Sequence, residues 1–111
     1  MRSYDDLCSA LASCDIPIVR ITWDPADEDM LPPLPHAMLV PTETQNIFAR
    51  NRVVCRITLY DVEVYLRGSD IALESSIESA LDAAGFGYDR DTHPLEDGVT
   101  MLVWHVTCIG I

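Results

Sequence analysis

The chain has 111 residues, 49% of them hydrophobic, and carries eighteen acidic against seven basic side chains for a net charge of −11. That length supports one hydrophobic core, and a single domain over residues 1–111 is expected. Phosphate backbones are held by clustered Lys and Arg, so this balance excludes specific nucleic-acid binding, and no apolar run approaches the length of a membrane span.

The N-terminal MRSYDDLCSALASC has acids where a secretory leader needs a basic start and an unbroken apolar run. A chain made and kept in the cytosol is therefore expected. Ser3 with Asp6 has the spacing of a capping box, and Tyr4, Leu7, Cys8, Leu11 and Cys14 form one helical face that ends before Asp15 and Pro17. Val19, Ile21 and Trp23 then alternate with Arg20, Thr22 and Asp24, the pattern of a half-buried strand.

Asp24 to Pro35 combines four acids with four prolines and reads as an exposed connection. Its acids lack the spacing and the glycine of a calcium loop, so no metal is expected there. His36 to Val40 is a short strand closed by Pro41, and Thr42 to Asn51 reads as a polar loop with an exposed Phe48. An aromatic beside two arginines fits a contact with another subunit, although single exposed aromatics are common.

The stretch from Arg52 to Gly85 reads as one long strand passing through a short turn into an amphipathic helix. Val53, Cys55, Ile57 and Leu59 alternate in one phase, and Tyr60, Val62, Val64 and Leu66 in the other. A one-residue change of phase moves the apolar set to the opposite face, so a bulge or bend is expected between Leu59 and Tyr60. Either the strand twists within one sheet, or its first half leaves the domain body and meets another subunit.

Gly68, Ser69 and Asp70 supply turn and cap chemistry for the helix. Leu73, Ile77, Ala80, Leu81 and Ala84 recur at helical spacing, and Gly85 occupies the C-terminal position that wants a left-handed residue. Glu74, Glu78 and Asp82 form a stripe at i, i+4 and i+8, where like charges repel. The stripe is either a solvated face or a surface for a partner.

Phe86 to Arg90 reads as a brief strand and His93 to Gly98 as a turn. The closing segment, Val99 to Ile111, has Leu102, Trp104, Val106 and Cys108 on one face and Met101, Val103 and Ile109 on the other, so something must cover both sides. The second helix is the expected cover for Trp104.

Chemistry-bearing signals are absent. Cys8, Cys14, Cys55 and Cys108 sit among apolar neighbours without paired spacing, favouring reduced, buried thiols over disulfides or zinc. His93 and His105 lack a second ligand at a recognisable spacing, and His105 reads as a structural histidine within the closing strand. No catalytic, cofactor or metal residues are assigned.

The segments YDDLCSALASCDIPIV, NIFARNRVVCR (Asn46 to Arg56), YDVEVYLRG and ALDAAGFGY, in that order, resemble the small tail-completion or tail terminator proteins of long-tailed, siphovirus-type bacteriophages. In those proteins a strand of the VELYT kind runs into an acidic helix ending near AAG. The chain departs from the pattern in its acidic, proline-rich Asp24 to Pro35 segment and in its apolar end, Thr107 to Ile111, which leaves open which tail component it would be.

The resemblance implies an α+β domain with two helices packed on a mixed, mainly antiparallel sheet. It further implies a homo-oligomeric ring, of six copies, at the head-proximal end of the virion tail. Such a ring ends tube polymerisation and contacts the tail tube protein and the head connector or completion protein, and DNA passes through it. An acidic wall suits that channel, because it repels phosphate and does not trap it.

Asn46, Phe48, Arg50, Arg52 and Arg56 on one element, and Glu74, Glu78 and Asp82 on another, are then the expected subunit interface, since a head-to-tail ring pairs two different faces. Two alternatives stay open: another ring component of the head-tail junction, and an unrelated small enzyme or metal-binding domain.

Overall fold

A computed structural model of the chain describes residues 3–14, 16–20 and 34–110. Helix α1 (Tyr4–Ala12) begins with the expected capping box. The Ser3 hydroxyl accepts from the Asp6 N–H at 3.2 Å, and the Asp6 carboxylate accepts from the Ser3 N–H at 3.1 Å. Two of the orphan donors at the helix start are thereby satisfied. One turn apart, Leu7 and Leu11 are fully buried.

Strand β1 (Ile18–Arg20) is short and runs parallel to residues 37–39 of β2 (His36–Ala49). The half-buried strand expected over Val19 to Asp24 is described only as far as Arg20, and the acidic connection only at Leu34 and Pro35; the rest lies outside the described residues. β2 turns back into β3 (Arg52–Arg67), which leads into helix α2 (Ile71–Ala84). Asp70 caps α2, its carboxylate accepting from the Leu73 N–H at 3.0 Å, and Gly85 ends it at φ 84°, a conformation in which a Cβ is strained. β4 (Tyr88–Pro94), a 3₁₀ turn (Glu96–Gly98) and β5 (Val99–Gly110) complete the order.

The strands are arranged β1-β2-β3-β5-β4, with every pairing antiparallel except β1 with β2. The fold is therefore α+β, two helices on a mixed, mainly antiparallel sheet, as expected. Because side chains alternate along a strand, Ala37 and Leu39, Tyr60 to Leu66 in steps of two, and Leu102 to Cys108 in steps of two all point to one side. That side meets Leu7, Leu11, Leu73, Ile77 and Leu81 of the helices in a single core. Trp104 is fully buried in this core with Ile77 and Leu81, as anticipated, and its indole N–H donates to Glu78 at 3.3 Å. Burial without that acceptor would leave a polar group unsatisfied.

The opposite side of the sheet has no helix over it among the described residues. Besides a row of Gln45, Ile57 and Ile109 next to the arm, register places four rows of three or four residues across it. Glu43, Leu59 and Thr107 form one, and Val40, Asp61, His105 and Asp89 the next. Met38, Glu63, Val103 and Asp91 form the third, and His36, Tyr65, Met101 and His93 the last. Of these only His36 and Val103 are buried. The second face of the closing strand, expected to be covered, is thus half open.

Two sequence expectations are corrected by the β2–β3 pair. First, Thr42 to Asn51 is not a loop: β2 continues to Ala49, and only Arg50 and Asn51, both left-handed at φ 52° and 64°, form the turn. Those angles are what a two-residue hairpin turn requires for its twist to match the strands. Pro41 is tolerated because the register slips beside it and because no described residue pairs with β2 on its other side past Leu39.

Second, β3 does not bulge between Leu59 and Tyr60. Its ladder with β5 is unbroken from Arg56 to Arg67, and the extra residue is Thr42 on β2, opposite the expected break. The Thr42 hydroxyl donates to the Leu59 carbonyl at 3.2 Å, tying the slip in place. The change of phase is real in another sense. Tyr60 to Leu66 turn their apolar side to the helices, while Ile57 and Leu59 turn theirs to the open face.

Candidate functional site

The outer end of the hairpin is the part of the molecule least supported by its own chain. Among the described residues β1 accompanies β2 only to Leu39, and β5 accompanies β3 only to Arg56. Asn46 to Arg56 is a two-stranded arm, about 17 Å long at the usual rise per residue, with no third strand among the described residues beside it except Gly110 opposite Arg56 at its base. It contributes to a longest dimension of 52 Å against 34 and 21 Å for the other two. A second slip, between Ile47 and Phe48, makes Val54 the extra residue near the tip.

Six large hydrophobic residues are exposed among the described residues, and four of them, Ile47, Phe48, Val53 and Val54, are in this arm. Phe48 is the most exposed of the four, at 65%. The arm also holds Arg50, Arg52 and Arg56, three of the chain's seven basic residues, and none of its eighteen acidic ones. Asn46 lies directly across from Arg56. The five candidate interface residues on this element are therefore brought together, at one end of one hairpin, and all five are exposed.

The acidic half of the expected interface is placed differently. Glu74 and Glu78 are both within ion-pair distance of Arg90 on β4, at 3.4 and 3.3 Å, and Glu78 also accepts from Trp104. Asp82 accepts from the Tyr88 hydroxyl at 3.4 Å. Instead of a free stripe, α2 presents carboxylates already engaged by the strands beneath it. The guanidinium of Arg90 relieves the repulsion that the helix alone would suffer, and Asp82 remains exposed.

A third arrangement was not legible from spacing. On the open face His105 lies between two carboxylates, with Nδ1 2.6 Å from Asp61 and Nε2 2.8 Å from Asp91. Asp61 is its direct cross-strand neighbour on β3, and Asp91 comes from β4 on the other side. Hydrogen bonds to Asp91 and to Asp61 raise the His105 pKa, against a smaller opposing effect of burial. The ring favours its charged form, with both nitrogens donating.

His36 is the other unanticipated histidine. It is buried, stacked on Tyr65 with ring centroids 5.3 Å apart, and its Nδ1 has no partner among the described residues. The Tyr65 hydroxyl donates to Glu63 at 2.7 Å, and burial together with that bond pushes its pKa up.

None of the four cysteines is in a disulfide, but only Cys108 is buried; Cys8, Cys14 and Cys55 are half-buried, which corrects the expectation of four buried thiols. Burial pushes Cys108 up to about 11, so it is a poor nucleophile at neutral pH. Among the described residues no group of three or more His, Cys, Asp or Glu has the arrangement to hold a metal ion, and no helix is long and apolar enough to cross a membrane. No family model matches the chain, and no curated protein matches its sequence.

Proposed function

We propose that this chain is a structural virion protein, a tail terminator or tail-completion subunit that closes into a ring at the head-proximal end of a phage tail. In that role it ends tube polymerisation and joins the tail tube protein to the head connector. The observation that carries the reading is the Asn46 to Arg56 arm. Isolated two-stranded hairpins are marginal in water, and an arm with four exposed apolar residues has a use only when another surface covers it.

A cyclic ring needs two different faces on each subunit, and the arm and the sheet body are two such faces. Six copies, the number implied by the resemblance, remain part of the proposal. The acidic body suits a channel through which DNA passes without adhering. The chain is expected to be monomeric or weakly associated when dilute and to form rings at high concentration or on tail tubes.

Light scattering across concentration, followed by electron imaging with and without purified tail tubes, tests this. Rings capping the tube ends are the expected result. A protein that stays monomeric throughout and ignores tube ends would sink the reading. Rings that bind only portal-bearing heads would instead identify a connector of the same junction.

A further inference from the structure

We infer that the arm of one subunit docks on the open, helix-free face of the sheet of a second copy, with its arginines over the carboxylates of β3 and β4. This inference rests on the ring reading above and specifies where the arm goes. The argument is charge complementarity, joined to the apolar content of both surfaces.

On the open face the two central rows present Asp61, Glu63, Asp89 and Asp91, four carboxylates against the single imidazolium of His105. Asp89 makes no ion pair among the described residues, and Asp91 remains 59% exposed even while bonded to His105. Beside these acids, along β2, the same rows carry Met38 and Val40, and β5 carries Met101. A probe that is apolar on one part and cationic on another fits such a face.

The arm has that composition. Arg50, Arg52 and Arg56 are exposed, make no ion pair among the described residues, and stand in an eleven-residue segment without an acid. Phe48 and Ile47 are its apolar part. The α2 stripe is the weaker acceptor, because Arg90 already neutralises Glu74 and Glu78. Two bodies of net charge −11 repel at long range, and a segment holding three of the seven basic residues is the means in this chain of offsetting that repulsion at contact.

The test places a photoreactive benzophenone amino acid at Phe48, in a mixture of isotopically light and heavy protein so that links between chains are distinguishable from links within one. Expected are links between chains to peptides containing Met38–Val40, Asp61–Tyr65 or Met101–His105. In parallel, Asp89→Lys, on an exposed strand and outside the His105 clamp, should raise the concentration needed for association by roughly tenfold, with the melting profile of the monomer retained. Arg50→Glu with Arg52→Glu on the same chain should recover part of that loss.

Links to α1 or α2 in a protein that still forms rings would overturn the docking face and leave the ring reading intact. Association unaffected by the β4 charge reversal would likewise overturn it. A complete absence of association at any concentration overturns both proposals together.

Discussion

The same two strands, β2 and β3, are buried at one end and bare at the other, and the contrast between their halves separates what pairing does from what packing does. At the body end Leu39, Val62 and Val64 are fully buried; at the arm end Phe48, Val53 and Val54 are exposed. The ladder between the strands continues through both. Hydrogen bonds therefore set the shape of the whole hairpin, while the hydrophobic contribution, about 25 cal/mol per Å² of apolar area, comes only where α1 and α2 lie over the sheet. The arm is formed by register and gains no such burial from the described residues.

The largest effect that breaks this contrast should come from the body. Trp104→Ala removes a fully buried side chain from between the sheet and α2 and should cost about 3–5 kcal/mol, seen as a large drop in the urea midpoint with loss of tryptophan near-ultraviolet signal. A midpoint close to the parent's would mean that the indole is not part of the core. Next is Asp70→Ala, which leaves the Leu73 N–H at the start of α2 without its acceptor and should cost about 1 kcal/mol. Asp70→Asn, which keeps an acceptor oxygen, should cost less, and equal losses in the two variants would point away from capping.

A smaller effect belongs to the open face. The folded pKa of His105 lies above its ordinary 6.5, so its contribution to stability is fully present below about that pH and is lost as pH rises through the folded value. His105→Gln should flatten this part of the stability profile, and Asp91→Asn should move the imidazole titration, followed by NMR, downward. A His105 ring titrating at or below its ordinary value would dismiss the clamp.

Smallest of all, Phe48→Ser should change monomer stability by less than about 0.5 kcal/mol, the usual range for surface changes, while weakening association. If the melting temperature falls by several degrees instead, Phe48 is packed within its own chain and the division between arm and body fails.

Much of the body was legible because its local chemistry and its burial point the same way. Ser3 with Asp6, Asp70 and Gly85 mark helix ends by their own hydrogen-bonding and backbone preferences, and Trp104 with Val62 and Leu81 follows simple periodicity. The β2 half of the arm was not legible as strand, whereas Arg52 to Arg56 was. Hydrophobic alternation records burial of one face, and Thr42 to Asn46 is polar and exposed on both. Nor does Arg50–Asn51 advertise a turn, because neither residue is glycine and only Asn51 tolerates the left-handed region readily.

The phase change at Leu59 was correctly located, yet it was attributed to the wrong strand, because a bulge residue is identified only by what lies opposite it. The clamp had no signal at all. Asp61 and His105 are 44 positions apart and Asp91 and His105 are 14 apart, and only register brings them together.

One edge of the sheet bears on handling the protein in concentrated solution. β4 is the outermost strand beyond β5, and from Asp89 to Pro94 every residue is exposed. A long bare edge of this kind ordinarily templates the addition of foreign strands and, from there, fibres. Here Asp89, Arg90 and Asp91 put charge at three successive positions, and Pro94 withholds a backbone donor at the strand's end. A second β4 approaching antiparallel would bring its aspartates against these, so runaway cross-β growth is blocked on this side even in concentrated solution.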